Sequence, residues 1–425
     1  MMTYVYLVIA CLPLYVIRFP ILGFPTTVLE ILILSLFIIW FIKYQIPRLK
    51  RGMTFGLFRW ELIAWLIVSL VAVIVAGASL SSFGIWRAYF FEPALLYIVL
   101  SNLLDTKEKI YKAVSVLAGS AIAISLIAAY QYITGDFITN PFWAAVETRR
   151  ATSLFPYPNA IGLFLAPLIF LFAGLLPIAY QKNKNWFWFL VVAILSSFSA
   201  ILFAQSDGAL FAIVIAALVG GLIATKKTQL AALAFIIAAT VAIAINPTGV
   251  SYVSDRLQLK DFSGQIRRFQ WRETITMLRD GRLILGAGLN NYQKTVAPYH
   301  QEGFFYNSEE LSEADFVARV NSDENYRKMH WQPLETYLYP HNIVLNFWSE
   351  LGLAGLLLFI WIVIKYFWLG FKSYYAKRDG FTLGIILAML AILIHGLVDV
   401  PYFKNDLAAL FWLLLILLGF STKRQ

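Results

Sequence analysis

The chain has 425 residues, 60% of them hydrophobic and 14% charged, with a mean hydropathy of +0.72. Soluble proteins carry about 45–50% apolar and about 25% charged residues, so too little polar surface is left here to face water, which excludes a cytosolic enzyme, a disordered tail and a collagen-like fibre. A single cysteine, Cys11, excludes a disulfide framework and a thiolate metal cluster, and the formal charge of +10 is spread along the chain rather than gathered in one patch, so no nucleic-acid partner is expected.

A helix needs about 20 apolar residues to cross a bilayer. In chain order such stretches fall at 4–22, 25–44, 60–80, 83–104, 112–134, 157–180, 186–204, 208–225, 229–246, 341–366, 380–399 and 405–421. The expected fold is therefore an all-α integral membrane protein of about twelve transmembrane helices, with no strand. The first stretch is interrupted by Pro13, Arg18 and Pro20. It lacks the basic flank and small-residue cleavage site of a signal peptide, so it is expected to stay as an anchor.

Lysines and arginines in the short connections divide by side. One set, including Lys43, Arg48, Lys50, Arg51, Arg59, Lys423 and Arg424, holds eighteen; the alternate set, Arg18, Arg87, Arg149, Arg150 and Lys404, holds five. Positive loops stay cytoplasmic, so both termini are expected inside. Residues 247–340 make one long outer connection with eleven Lys/Arg and twelve Asp/Glu. The chain thus divides into 1–246 with nine spans, 247–340 as the outer loop, and 341–425 with three spans. Connections of that length are usually functional. Within it, Gln265–Asp280 has Trp271, Ile275 and Leu278 at i, i+4, i+7 beside Arg268, Arg272 and Arg279, and Gly281 follows. This predicts an amphipathic helix along the membrane surface, Trp271 in the interface and the arginines among the headgroups.

The outer-side cations nearest to span ends are Arg18, Arg87, Arg149, Arg150, Arg267 and Arg268. Each either snorkels to headgroups or helps to build a cationic pocket for a membrane-held anion, where the planar guanidinium fork suits a phosphate or diphosphate. Arg87 lies about one turn inside its span, where an unpaired charge is costly. Glu30, Glu92 and Glu350 lie within spans. Glu350 is nine residues past His341, about 13 Å deeper and roughly opposite in direction, so it reads as a structural hydrogen-bonding group. His341 follows Tyr339-Pro340 at the outer start of the tenth span and is the best general-base candidate, with an ordinary pKa near 6.5. No HExxH, paired Cys, DxD or glycine-rich phosphate loop is present, so neither metal nor cofactor is expected.

The segment His341-Asn342-Ile-Val-Leu345-Asn-Phe-Trp-Ser-Glu350-Leu-Gly352-Leu-Ala-Gly355 resembles the signature of the bacterial O-antigen ligase and O-antigen polymerase superfamily, multi-pass glycosyltransferases of GT-C-like architecture. Arg150 followed by Pro158-Asn159, Arg267-Arg268-Phe-Gln-Trp271, and Leu285-Gly286-Ala-Gly288 resemble further stretches of that family. One departure stands out: many ligases have Ser-Arg-Gly before the eighth span, where this chain has Ser206-Asp207-Gly208. A carboxylate cannot replace a guanidinium at a phosphate, so that contact is lost or supplied by another residue, Arg87 or Arg18. The resemblance implies metal-independent, inverting transfer of a glycan from an undecaprenyl-diphosphate carrier to an acceptor hydroxyl, at the outer face of the cytoplasmic membrane. His341 would be catalytic. Arg150, Arg267 and Arg268, with Arg87 and Arg18, would bind the diphosphate, while Asn342, Asn159, Glu350 and Trp271 support the motifs. The implied partners are the carrier-linked donor, a glycan or glycolipid acceptor such as lipid A–core, and membrane lipids. A polymerase or a protein O-oligosaccharyltransferase would share these motifs. A polytopic transporter is the rival from another class, though its polar sites would sit near the midplane.

Overall fold

The computed structural model describes residues 1–21, 23–45, 56–246, 250–251, 254–256 and 258–422. Arg48, Lys50, Arg51, Lys423 and Arg424, which enter the orientation argument, lie outside the described residues. Helix accounts for 76% of the structure and strand for 3%, as expected for an all-α membrane protein. A helix closes its backbone hydrogen bonds within one segment, which a water-free bilayer interior demands.

Among the described residues, seven helices are long and apolar enough to cross a bilayer: Leu80–Leu103, Lys107–Thr134, Asn159–Lys182, Lys184–Phe203, Asp207–Ala224, Ile343–Lys377 and Asn405–Thr422. Val28–Trp40, Arg59–Val75, Lys226–Ala244 and the shorter Gly380–His395 occupy four more of the expected spans. Two of these helices form the centre of the bundle. In Asn159–Lys182 and Asn405–Thr422, 78% and 83% of the apolar window is buried, against 28% and 22% in Lys184–Phe203 and Asp207–Ala224, which face outward.

The stretch 4–22 departs from the expected span. Its helix, Met2–Ala10, stops early; a 3-10 turn follows over Leu12–Val16 with Pro13 in its first turn. Arg18–Ile21 then pairs antiparallel with Phe24–Thr27, Pro20 opposite Pro25. Proline lacks an N–H and its ring strikes the preceding turn, so no continuous helix runs through Pro13. A second two-stranded pair, Gly303–Phe305 with Trp331–Pro333, lies in the long connection. The expectation of no strand is thereby corrected. Strands of three or four residues are too short to show a period-2 pattern.

In the long connection the amphipathic helix runs Phe262–Met277 and continues as a π turn, Leu278–Arg282, in which Gly281 takes a φ of 76°. It buries Gln270, Glu273, Thr274 and Met277 and leaves Arg268, Arg272 and Arg279 exposed. The chain then crosses the Ile343–Lys377 helix: Leu353 N donates to Ile284 O at 2.9 Å and Ala287 N to Ser349 O at 2.6 Å. Gly352 breaks the helical path with a φ of 69°, and a Cβ there would stand 2.4 Å from Ile284 O. A Cβ on Gly286 would meet Ser349 O at 2.5 Å. Glu350 Oε2 accepts from Asn290 N at 2.5 Å. The Glu-x-Gly and Leu-Gly-x-Gly stretches are therefore two halves of one joint, which fixes the outer loop to the bundle. Glu350 belongs to that joint, not to the neighbourhood of His341.

Candidate active site

Asn342 explains the His-Asn pair. Its Oδ1 accepts from Val344 N at 3.0 Å and Leu345 N at 3.1 Å, capping the Ile343–Lys377 helix, and its Nδ2 donates to Leu397 O at 3.0 Å. An Asn cap satisfies the orphan N–H groups of a first turn. Ile343 N donates to Gly396 O at 2.7 Å, so the cap is fastened to the turn after Gly380–His395. His341, just before the cap, is held at a φ of 44°. A non-glycine residue there costs of order 1 kcal/mol and persists only where its surroundings enforce it.

Gln270 enforces it. His341 Nδ1 lies 2.9 Å from Gln270 Oε1. With the amide so oriented, the oxygen only accepts, so the proton sits on Nδ1 and Nε2 is left as the basic nitrogen. Burial pushes the imidazole below its usual 6.5 against the pull of Asp399, and the Arg267 and Lys404 charges deepen the shift. The ring is therefore neutral near neutral pH.

The turn 396–404 is the hub. Arg267 Nε donates to Val398 O at 2.9 Å. Asp399, 5% exposed, accepts from Val400 N at 2.8 Å and from Asn159 Nδ2 at 3.4 Å. Asn159 in turn accepts from Arg150 Nη2 at 2.9 Å, while Arg150 also donates to Ala204 O at 2.9 Å and Gln205 O at 3.1 Å. Burial would raise Asp399, but His341, His395, the Val400 N–H and Lys404 outweigh it and hold the carboxyl below its usual range. Lys404 donates to the Tyr157 hydroxyl, and burial pulls its ammonium down to about 8. One turn thus gathers an imidazole and two guanidinium groups from separate segments. Such a set can take a proton from a hydroxyl and stabilise a departing anion.

The other expected residues stand elsewhere. Arg87 is drawn inward: Nη2 is 2.7 Å from Glu30 Oε2 and Nε 3.3 Å from Glu92 Oε1. With Asn405 Nδ2 donating to Glu30 at 3.1 Å, it neutralises buried carboxylates. Arg18 is exposed on its short strand, within electrostatic reach of Tyr339 and Lys404. Arg268 is exposed on the far side of its helix from Arg267's partner. Trp271 is half-buried beside it, its buried Nε1 without a partner among the described residues. Arg149 donates to Ala144 O, Tyr132 O and Ile133 O and ties a loop. At the Ser-Asp-Gly turn neither Arg87 nor Arg18 is found; Arg256 from the long connection bridges Asp207 at 2.9 Å and Asp261 at 3.2 Å.

Sequence reasoning missed Asp399, Tyr157 and Gln270, and counted Lys404 only as a loop charge. Gln270 had a signal: it lies three residues after Arg267, on the same helix face. Asp399 had only its place in a short turn before Val-Pro. Among the described residues no three His, Cys, Asp or Glu side chains are grouped to hold a metal ion.

No curated protein sequence matches the chain. Residues 191–360 match the family model described as O-Antigen ligase, a range that takes in Arg267, Gln270, His341 and Asn342. That match supports membership of the O-antigen ligase superfamily, a glycosyltransferase-like group of membrane proteins.

Proposed function

We propose that the protein transfers a glycan from an undecaprenyl-diphosphate carrier to an acceptor hydroxyl at the outer face of the cytoplasmic membrane, as an O-antigen ligase with a lipid A–core acceptor. The observation that carries this reading is the convergence of His341, Arg150 and Arg267 on the 397–399 turn. The acceptor oxygen attacks the anomeric carbon from the face opposite the diphosphate, inverting it. The bond from that carbon to the diphosphate oxygen breaks, and the hydroxyl proton passes to His341 Nε2. Arg150 and Arg267 hold the diphosphate and offset the charge that develops on it. Asn342, Gln270 and Asp399 position the imidazole.

Incubating purified protein with carrier-linked glycan and, separately, lipid A–core, a second carrier-linked glycan or an acceptor peptide tests this. Transfer to lipid A–core supports the ligase reading, and transfer only to the second glycan or the peptide replaces it. Chelator is expected to leave transfer intact, because guanidinium groups do the work of a cation at the diphosphate; loss on chelation with recovery by one divalent ion would overturn this.

The proposed orientation places both termini in the cytoplasm and residues 247–340 outside, from the eighteen-to-five division of short-loop charges. In a Cys11→Ser background, cysteine at Ser308 should react with a membrane-impermeant reagent in cells, with any outer membrane permeabilised. Cysteine at Thr106 should not, and the reverse pattern would invert the topology.

A further inference from the structure

Breaking the bond between the anomeric carbon and the diphosphate leaves its electron pair on the departing oxygen. The intact carrier-linked diphosphate is a diester with two negative charges, which Arg150 and Arg267 match in number. The released diphosphate ends in a phosphate monoester, whose second ionisation lies near about pH 6. One further negative charge therefore develops on the oxygen that leaves. A cation placed for that charge favours the transition state over the bound donor.

Lys404 is a cation of the site that the mechanism above leaves unused. It is half-buried at the end of the 396–404 turn, where its ammonium donates to the Tyr157 hydroxyl and stands 3.6 Å from the centre of the Tyr157 ring. Tyr157 lies two residues before Asn159, which accepts from Arg150 Nη2 at 2.9 Å. Lys404 and Arg150 are thus both fastened at the start of the Asn159–Lys182 helix. Arg267 and Lys404 are both within electrostatic reach of the His341 ring, and Arg150 is within reach of Arg267. Three cations therefore stand around one base.

The donors of Lys404 are not used up. An ammonium has three N–H groups, and among the described residues Tyr157 is its one hydrogen-bond partner and no carboxylate lies at ion-pair distance. Burial brings the ammonium down to about 8, Asp406 and Asp399 resist the shift, and Arg18 adds to it. The hydroxyls of Tyr15 and Tyr339 stand around Tyr157 and carry no charge near neutral pH. Lys404 is therefore charged at neutral pH and loses its charge in mild alkali, with two N–H groups to offer an anion.

We propose that Lys404 is a further catalytic residue, whose ammonium donates a hydrogen bond to the diphosphate oxygen that leaves the anomeric carbon. The lysine keeps its proton throughout, and Arg150 and Arg267 hold the other phosphate oxygens. The proposal rests on the glycosyl-transfer reading above and adds to it the group that answers the charge formed in the reaction.

The test uses full-length protein in phosphatidylcholine nanodiscs and compares two probes by calorimetry, undecaprenyl diphosphate and the intact carrier-linked glycan. Wild-type protein should bind undecaprenyl diphosphate about tenfold more tightly than the intact glycan, as one charge-assisted hydrogen bond requires, and should lose that preference as pH rises through about 8. Lys404→Gln should lack the preference at every pH while keeping wild-type affinity for the intact glycan, which also reports that it is folded. Lys404→Arg should keep the preference in alkali, because a guanidinium does not deprotonate there. In transfer assays Lys404→Gln should lower turnover with little change in the KM for donor. It should also move the acid limb set by His341 to higher pH, since the Lys404 charge no longer depresses that imidazole. A full preference in Lys404→Gln, or a wild-type alkaline loss in Lys404→Arg, overturns the assignment. A Lys404-dependent preference in wild-type protein that transfers to no acceptor leaves the lysine at the terminal phosphate and refutes the glycosyl-transfer reading instead. Binding of neither probe overturns both.

Discussion

His341→Ala is expected to lower turnover by about 10²–10⁴-fold, the usual cost of losing a general base, and to leave binding of the carrier-linked donor nearly unchanged. The imidazole faces Gln270 and the 396–404 turn and supplies no fixed charge to a diphosphate. The base must be neutral to accept the proton, so activity should fail as pH drops through the His341 pKa. Burial holds that pKa below 6.5, so the acid limb of the rate profile should lie below pH 6.5. Asp399 opposes the depression, so Asp399→Asn should move the acid limb to still lower pH. Gln270→Leu removes the acceptor that fixes the tautomer and should cut turnover without weakening the donor. Normal turnover by His341→Ala would remove the imidazole from the mechanism.

Arg267→Ala is expected to weaken donor binding by about 1.5–3 kcal/mol, the range for a lost hydrogen bond to a charged group, which is a loss of about 10- to 150-fold. Its guanidinium spends Nε on Val398 O and keeps its other nitrogens for a ligand. Lysine at 267 should recover only part, because an ammonium supplies charge without the bidentate fork. Arg150→Ala should do at least as much damage, by two routes. It loses a diphosphate contact, and it releases Ala204 O, Gln205 O and Asn159, through which it braces the turn before the Asp207–Ala224 helix. Calorimetry with the carrier-linked donor, alongside a thermal melt, separates the routes: Arg267→Ala, which releases one carbonyl, should shift mainly affinity, and Arg150→Ala, which releases three partners, should lower the melting temperature more. Full donor affinity in both variants would assign the diphosphate to other cations.

The sequence by itself determined what depends on neighbours along the chain. Apolar runs placed the helices, and a helical period put Arg268, Arg272 and Arg279 on one stripe. The Asn after His341 marked a helix start that the structure realises as a cap. Pro13 already carried the reason why the first span breaks. Only the tertiary structure decided which charges meet. Arg87 and Arg150 are alike in sequence, each an outer-side arginine near a span. Yet one is consumed by Glu30 and Glu92 and the other bonds Asn159, which in turn donates to Asp399. Likewise Glu350, nine residues from His341, serves the loop joint, and Arg256 rather than Arg87 or Arg18 answers Asp207. The physical reason is that apolar faces of membrane helices are nearly interchangeable as partners. Their sequence fixes that each crosses and how deep a polar group lies, while the rotation and neighbour of each helix, and so the direction of every arginine, follow from packing the whole bundle.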